Sequence, residues 1–81
     1  MRTVSRANAR AAALAERIQE RISSRLAGRV RALRVTVDRG VVRLCGECST
    51  FYSKQLAQHA ASGAIEDESI DNRIEVRTPS R

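Results

Sequence analysis

Aromatic residues are almost absent from this chain of 81 residues, which has one Phe, one Tyr and no Trp. The core must therefore be built from aliphatic side chains, and few rings are available to stack on nucleic-acid bases. A chain this short also has a thin core with little room for a deep pocket. The composition argues against a metabolic enzyme and disfavours a nucleic-acid binder.

Long apolar runs are also missing. The longest run near the N-terminus, Ala11–Ala15, is closed by Glu16. It is too short and too weakly apolar for the central region of a signal peptide, and far below the ~20 residues of a membrane-spanning helix. We therefore expect a cytoplasmic protein without a transmembrane span, and an envelope location only if the chain is a processed fragment.

The residues that are present predict five elements of secondary structure. Apolar residues recur at three- and four-residue intervals in the helices and at every second position in the strands. The elements are a helix over about 6–26, strands over about 30–37 and 41–48, a helix over about 51–62 and a strand over about 69–76. Gly28 and Gly63 are expected to end the helices. A tight turn at Asp38–Gly40 should join the first two strands, and Ser49 or Thr50 should cap the second helix.

The apolar faces of these elements should form one core. Its predicted members are Leu14, Ile18, Ile22, Val35, Val37, Val42, Leu44, Leu56, Ile70 and Ile74. In the second helix, Tyr52, Leu56 and Ala60 are predicted to share the apolar face, with Ala57 and Ala61 beside them.

Few residues are suited to catalysis or metal binding. Cys45 and Cys48 form a C-x-x-C sequence, but three strand steps place their side chains on opposite faces and their Cα atoms ~10 Å apart. A disulfide needs about 4.4–6.8 Å between these atoms. His59, the only histidine, has no Ser or Cys at a recognisable motif spacing, and Glu66–Glu68 lacks the alternating ligands of a calcium loop. We expect no catalytic residue, no cofactor and no bound metal.

Several strand and turn positions form a recognisable pattern. It consists of Val35-x-Val37, then Gly40-x-Val42-x-Leu44-x-Gly46, then Ser49 before a helix, then Ile70-x-Asn72-x-Ile74-x-Val76. This pattern, within about residues 18–76, resembles the BON domain, a small bacterial module. An acidic segment at 64–68 and Cys48 depart from the usual family sequence. In this pattern Gly46 should let a helix approach the strand, and Asn72 should bond a neighbouring backbone.

The resemblance implies a fold and a class of function. The fold is α/β, an α+β sandwich of αββαβ order with two helices packed on one face of a three-stranded mixed sheet. The chain, residues 1–81, would be a single domain with a core over about 6–76. The resemblance also implies a binding module for phospholipid surfaces or for envelope and partner proteins, with no catalytic residues to transfer.

The chain is strongly basic, with a formal net charge of +6. Arginines crowd residues 1–34, and in the first helix Arg6, Arg10, Arg17 and Arg21 form a narrow stripe outside the predicted core. This stripe is the candidate surface for anionic phospholipid headgroups or a protein partner. An arginine-biased genome and a merely solvated helix face would give the same pattern.

Two other functions remain open. Acidic residues crowd 66–75, so opposite charges lie at the two ends of the sequence and permit self-association. The first alternative is therefore a protein–protein adaptor or self-associating domain without a lipid role. A weaker alternative is a nucleic-acid binder, which the chain supports with charge alone.

Overall fold

Residues 6–77 are described by the computed structural model of the chain, with side chains from residue 9 onward. Five elements follow one another in the predicted order: α1 (Arg6–Leu26), β1 (Val30–Asp38), β2 (Val41–Cys48), α2 (Phe51–Ser62) and β3 (Ser69–Val76). The predicted αββαβ order and α+β class are confirmed. None of the described helices is long and apolar enough to cross a membrane.

The three strands form one mixed sheet in the order β1-β2-β3. β1 and β2 are antiparallel, with Val35 opposite Leu44, whereas β2 and β3 are parallel, with Leu44 beside Asn72. Arg39 and Gly40 form the two-residue turn between β1 and β2, and their φ angles are 53° and 78°. Two successive positive φ angles define a type I′ turn, which suits the twist of a hairpin. The predicted tight turn is confirmed.

Both helices pack on one face of the sheet, α1 over β1 and α2 over β3, and they also pack on each other. The buried core consists of Ile18, Ile22, Leu26, Val35, Val42, Leu44, Cys48, Ala57, Ala60, Ala61 and Ile74. The other predicted members, Leu14, Val37, Leu56 and Ile70, are partly buried at its rim. The second face of the sheet carries charged side chains and is called here the open face.

The buried side of α2 differs from the predicted one. Ser53, Ala57 and Ala60 are buried, Leu56 is half-buried, and Tyr52 is 64% exposed. Ala57, Ala60 and Ala61 lie on the packed side as predicted, and Ser53 instead of Tyr52 completes that stripe, which is rotated by less than one residue position, ~100°, from the predicted face. Small side chains on this stripe let α2 lie close to α1 and the sheet. The prediction that Tyr52 belongs to the packed face is therefore wrong.

Gly46 is required by a contact between strands. β1 has a bulge between Arg31 and Arg34, where Ala32 has a φ of 55°. A Cβ atom on Gly46 would lie 3.0 Å from the backbone oxygen of Arg31 and 3.3 Å from the Cα of Leu33. The bulged backbone of β1 thus fills the space beside Gly46, and the predicted approach of a helix is wrong.

Candidate binding surfaces

The four arginines of the predicted stripe on α1 lie in different surroundings. Arg6 is the first residue of α1, and its side chain lies outside the described residues. Arg10 and Arg17 are exposed, whereas Arg21 is half-buried. The stripe is therefore not a uniform row of solvated cations.

Arg21 is held by α2. Its Nε donates a hydrogen bond to the backbone oxygen of Ala60 at 2.9 Å, and its guanidinium group lies where a Cβ on Gly63 would clash with it. The last carbonyl groups of a helix lack intrahelical donors and carry partial negative charge, so a cation stabilises them. Arg21 thus has a structural role. Gly63 ends α2 as predicted, but with a right-handed φ of −69°, so only the flexible end of the Arg21 side chain opposes a Cβ atom at this position.

Arg10 and Arg17 face the acidic loop between α2 and β3. They line a hollow of about 200 Å³ that is also lined by Glu66 and Glu68. The Glu68 carboxylate accepts a hydrogen bond from the backbone N–H of Glu66 at 2.9 Å, and bonds of this kind hold the pKa of Glu68 below its ordinary value. The two glutamates reduce the positive potential of the stripe at this end of the molecule.

The open face of the sheet pairs further arginines with acids. Asp71 on β3 lies 3.2 Å from the Nε of Arg43 and 2.9 Å from the Nε of Arg73. Partial desolvation raises the pKa of the Asp71 carboxyl, but the two guanidinium hydrogen bonds outweigh it and bring this pKa below its ordinary value. Arg77 lies 3.1 Å from Glu75 on the same face. These arginines already have anionic partners within the chain.

A different surface lies where the end of α1, the start of β1 and the start of α2 meet. Arg29, Arg31 and Tyr52 line an open groove of about 470 Å³ there, and Phe51 precedes Tyr52 in the first turn of α2. The side chains of Phe51 and Tyr52 are 61% and 64% exposed. They are the only aromatic side chains of the chain. We name these four residues the aromatic corner.

Two arginines line the groove of the aromatic corner, and Glu47, the β2 partner of Arg31, does not line it. No carboxylate of the described residues lines it, and the first turn of α2 contains no acidic residue. Thr50 caps α2 as predicted, since its Oγ1 accepts a hydrogen bond from the backbone N–H of Ser53 at 3.1 Å. The positive end of the α2 dipole therefore adds to the two guanidinium groups. This arrangement suits an anionic ligand that also offers apolar surface.

A sequence model of the BON domain matches residues 6–78, nearly the whole chain. The chain belongs to the BON domain family. BON domains are non-catalytic binding modules, so the family directs attention to surfaces rather than to a catalytic pocket. A search of curated proteins found no match to the chain.

Asn72 ties together two elements of this BON domain. Its Nδ2 donates a hydrogen bond to the backbone oxygen of Lys54 on α2 at 3.0 Å. Its Oδ1 accepts a hydrogen bond from the backbone N–H of Ile74 at 3.1 Å. The predicted bond from Asn72 to a neighbouring backbone is confirmed, and it fixes β3 against α2.

The two cysteines of this BON domain point to opposite faces of β2, as their spacing predicts. Cys48 is fully buried beneath the helices, and its Sγ donates a hydrogen bond to the backbone oxygen of Thr50 at 3.1 Å. Cys45 is half-buried on the other face, and His59 is exposed on α2. Among the described residues, no three His, Cys, Asp or Glu side chains are grouped so that they could hold a metal ion.

Sequence reasoning does not find the aromatic corner, because it assigns Tyr52 to the packed face of α2. One signal was available in the sequence. Phe51 and Tyr52 are adjacent and directly follow the N-cap, so their side chains project ~100° apart and cannot share the centre of one buried stripe. The nearness of Arg29 and Arg31 depends on the tertiary packing of the BON domain, and the sequence has no local signal for it.

Proposed function

We propose that this BON domain is a non-enzymatic module that attaches reversibly to anionic phospholipid surfaces through the aromatic corner. One observation carries the proposal. The only two aromatic side chains of the chain are exposed, and one of them, Tyr52, lines a groove with Arg29 and Arg31 that no carboxylate of the described residues lines. Exposed rings flanked by arginines match the boundary between anionic headgroups and hydrocarbon.

The two rings supply the apolar part of the attachment. Aromatic side chains favour the membrane–water boundary, where an apolar ring and a polar tip are both satisfied. Burial of the Phe51 side chain contributes about 1.5–3 kcal/mol relative to full exposure. Tyr52 adds a second ring and keeps its hydroxyl group at the level of the headgroups. Because only two side chains insert, the attachment is reversible.

The two arginines supply the electrostatic part. A basic side chain near an anionic membrane contributes about 1 kcal/mol, and this attraction falls off within one Debye length. The guanidinium groups of Arg29 and Arg31 can also pair with phosphate oxygens through two parallel hydrogen bonds. Binding should therefore weaken as salt is added, while the contribution of the rings persists.

The stripe of Arg6, Arg10, Arg17 and Arg21 on α1 is a second candidate surface for the same function. Arg21 lies beside Ala60 near the end of α2, whereas Gly28 lies beside Thr50 near its start. The helices are therefore antiparallel, and the stripe and the corner lie at opposite ends of the helix pair. We expect the smaller contribution from the stripe, because α2 and the acidic loop already engage it.

Vesicle co-sedimentation tests the proposal with variants of equal charge. The double variants Arg29→Glu/Arg31→Glu and Arg10→Glu/Arg17→Glu change the net charge equally, and a third, Phe51→Ser/Tyr52→Ser, leaves it unchanged. Vesicles of phosphatidylcholine, with and without phosphatidylglycerol, separate electrostatic from non-specific binding. We expect the first and third variants to lose most binding to anionic vesicles at low salt, and the second to lose less. Circular dichroism melts check that each variant is folded.

Each contrary outcome points to a different surface or function. Equal losses in the two charge variants would mean that net charge alone drives binding. A larger loss in Arg10→Glu/Arg17→Glu would assign the function to the stripe. If the wild-type domain ignores anionic vesicles at low salt, the lipid proposal is wrong and a protein–protein adaptor becomes the better explanation. Salt-sensitive binding to duplex DNA, measured separately by fluorescence anisotropy, would favour the nucleic-acid alternative. The cytoplasmic location expected from the sequence stays a prediction, which cell fractionation would test.

A further inference from the structure

β3 is an edge strand of the sheet. Within the described residues its backbone pairs only with β2. The backbone N–H groups of Ser69 and Arg77 donate to the oxygens of Gly40 and Cys48, so the odd-numbered residues direct their backbone groups toward β2. Because these directions alternate along a strand, the even-numbered residues from Ile70 onward direct theirs outward. β3 therefore presents a row of outward donors and acceptors.

The opposite edge of the sheet, β1, is protected from pairing with another strand by features that β3 lacks. β1 carries the bulge at Ala32, which interrupts a regular row of backbone groups. The backbone oxygen of Leu33 also accepts a hydrogen bond from the Nε2 of Gln19 on α1 at 3.4 Å. Bulges and covering contacts of this kind protect an edge from pairing. A partner strand would thus meet fewer obstacles at β3.

The open-face side chains of β3 and of Arg77 directly after it alternate in charge, in the order Asp71, Arg73, Glu75, Arg77. We propose that two copies of this chain pair through their β3 edges as an antiparallel, two-fold symmetric dimer centred on Ile74. In that register Asp71 faces Arg77 of the second copy, and Arg73 faces Glu75 of the second copy. The two-fold axis doubles both pairs, so four pairs of opposite charge form between the copies, and each shares its charged groups with an ion pair inside one chain.

The charge order also discriminates between registers. Centring the pair on Arg73 places Asp71 opposite Glu75 of the second copy and brings the two Arg73 side chains together. Like charges directly opposite each other destabilise a strand pair. Centring on Asn72 keeps only the pair between Asp71 and Arg73 of the second copy, with its symmetry mate. The register on Ile74 is therefore the one that the side chains favour.

Asn72 controls access to this edge. Its Oδ1 accepts the outward backbone N–H of Ile74 at 3.1 Å, which is the donor at the centre of the proposed dimer. Pairing must replace this hydrogen bond with one to the second copy, so the exchange opposes association. The dimer is consequently weak and forms at high local concentration, as small interfaces of a single added strand do.

Sedimentation velocity on the full chain tests the dimer from about 10 μM to about 1 mM, the range of weak association. We expect a concentration-dependent dimer in the wild-type protein. Arg73→Glu places a carboxylate opposite Glu75 of the second copy and should weaken the dimer about tenfold. The double variant Arg73→Glu/Glu75→Arg keeps opposite charges in register and should restore it. A monomer throughout, or equal weakening by the single and double variants, would overturn the proposal.

Disulfide trapping tests the register separately. In a background with Cys45→Ser, which removes the thiol beside Arg73 on the open face, a mixture of Arg73→Cys and Glu75→Cys proteins should cross-link between chains. Each protein alone should cross-link much less, because neither new thiol meets its own copy in this register. Preferential cross-linking of Arg73→Cys with Asp71→Cys would instead place the centre at Asn72 and overturn the assigned register.

Discussion

The arginines at the two ends of the helix pair differ in whether groups of the same chain already contact them. At the end where α2 finishes, Arg21 is bonded to the backbone of Ala60, and Arg17 faces the acidic loop across a hollow. At the other end, Arg29 and Arg31 line a groove without carboxylates and beside exposed rings. The sequence around both sets is equally rich in arginine. The availability of an arginine for an external anion is therefore decided by residues that are distant in sequence.

A large-to-small substitution in the shared core should have the largest effect on the stability of the domain. Leu44 is fully buried on β2 and faces the helices, so Leu44→Ala should lower the free energy of unfolding by about 2–5 kcal/mol. Such a loss is a large share of the stability of a small domain. Arg43→Ala, its neighbour on the open face, is the matched control and should change stability by about 0.5 kcal/mol or less. Urea denaturation followed by circular dichroism measures both, and an unchanged Leu44→Ala midpoint would contradict the placement of β2.

Replacing Arg21 should show whether an arginine bonded to α2 contributes more to stability than an exposed arginine on the same helix. Arg21→Ala loses a charge-assisted hydrogen bond at the end of α2 and should cost about 1–2 kcal/mol. Arg17→Ala, one turn earlier and exposed, should cost about 0.5 kcal/mol or less. Thermal melts of the two single variants give the comparison directly. Equal, small effects would mean that the bond to Ala60 contributes no net stability.

Removing negative charge from the acidic loop should make the arginines of the stripe more available to anionic vesicles, as those of the aromatic corner are. Glu66→Gln/Glu68→Gln removes the carboxylates that face Arg10 and Arg17, and we expect about two- to fivefold tighter binding to anionic vesicles at low salt. The matched control is Asp38→Asn/Glu75→Gln, which changes the net charge equally at residues that lie outside the loop and do not line the hollow. If both variants bind equally well, the loop does not mask the stripe.

The smallest effect on stability should come from replacing Asp71, the carboxylate that pairs with two arginines on the open face. The folded-state pKa of Asp71 is depressed, so its bonds to Arg43 and Arg73 contribute stability above the ordinary aspartate pKa of about 3.9. This contribution is lost as the pH falls through the lower folded-state pKa. Asp71→Asn should therefore destabilise the domain slightly at neutral pH and not at all in strong acid. Melts of both proteins across this range test the sign, and a difference that grows in acid would contradict it.

The fold could be predicted from the sequence because its signals are local. Alternating apolar residues define β2, Thr50 caps α2, and the turn at Arg39 and Gly40 fixes the hairpin. Each of these depends on neighbours within a few residues, and the structure confirms the bounds of the elements to within one residue.

The surfaces could not be predicted in the same way. The rotation of α2, which exposes Tyr52, depends on how closely Ala57 can approach α1 and the sheet. The bulge beside Gly46 is a contact between two strands, and the bond from Arg21 to Ala60 spans 39 positions. These contacts between distant segments decide which arginines and rings face solvent, so periodicity alone finds the stripe on α1 but not the aromatic corner at the other end of the helix pair.

The exposure of Tyr52 also determines how the molecule can be observed. It is the only tyrosine, and the chain has no tryptophan, so ultraviolet emission comes essentially from one ring that is already 64% exposed. Unfolding changes the surroundings of such a ring very little, and emission is a poor reporter of stability. Docking at the aromatic corner, by contrast, would move that ring out of water. Tyrosine emission is thus a built-in optical probe of occupancy that needs no attached dye.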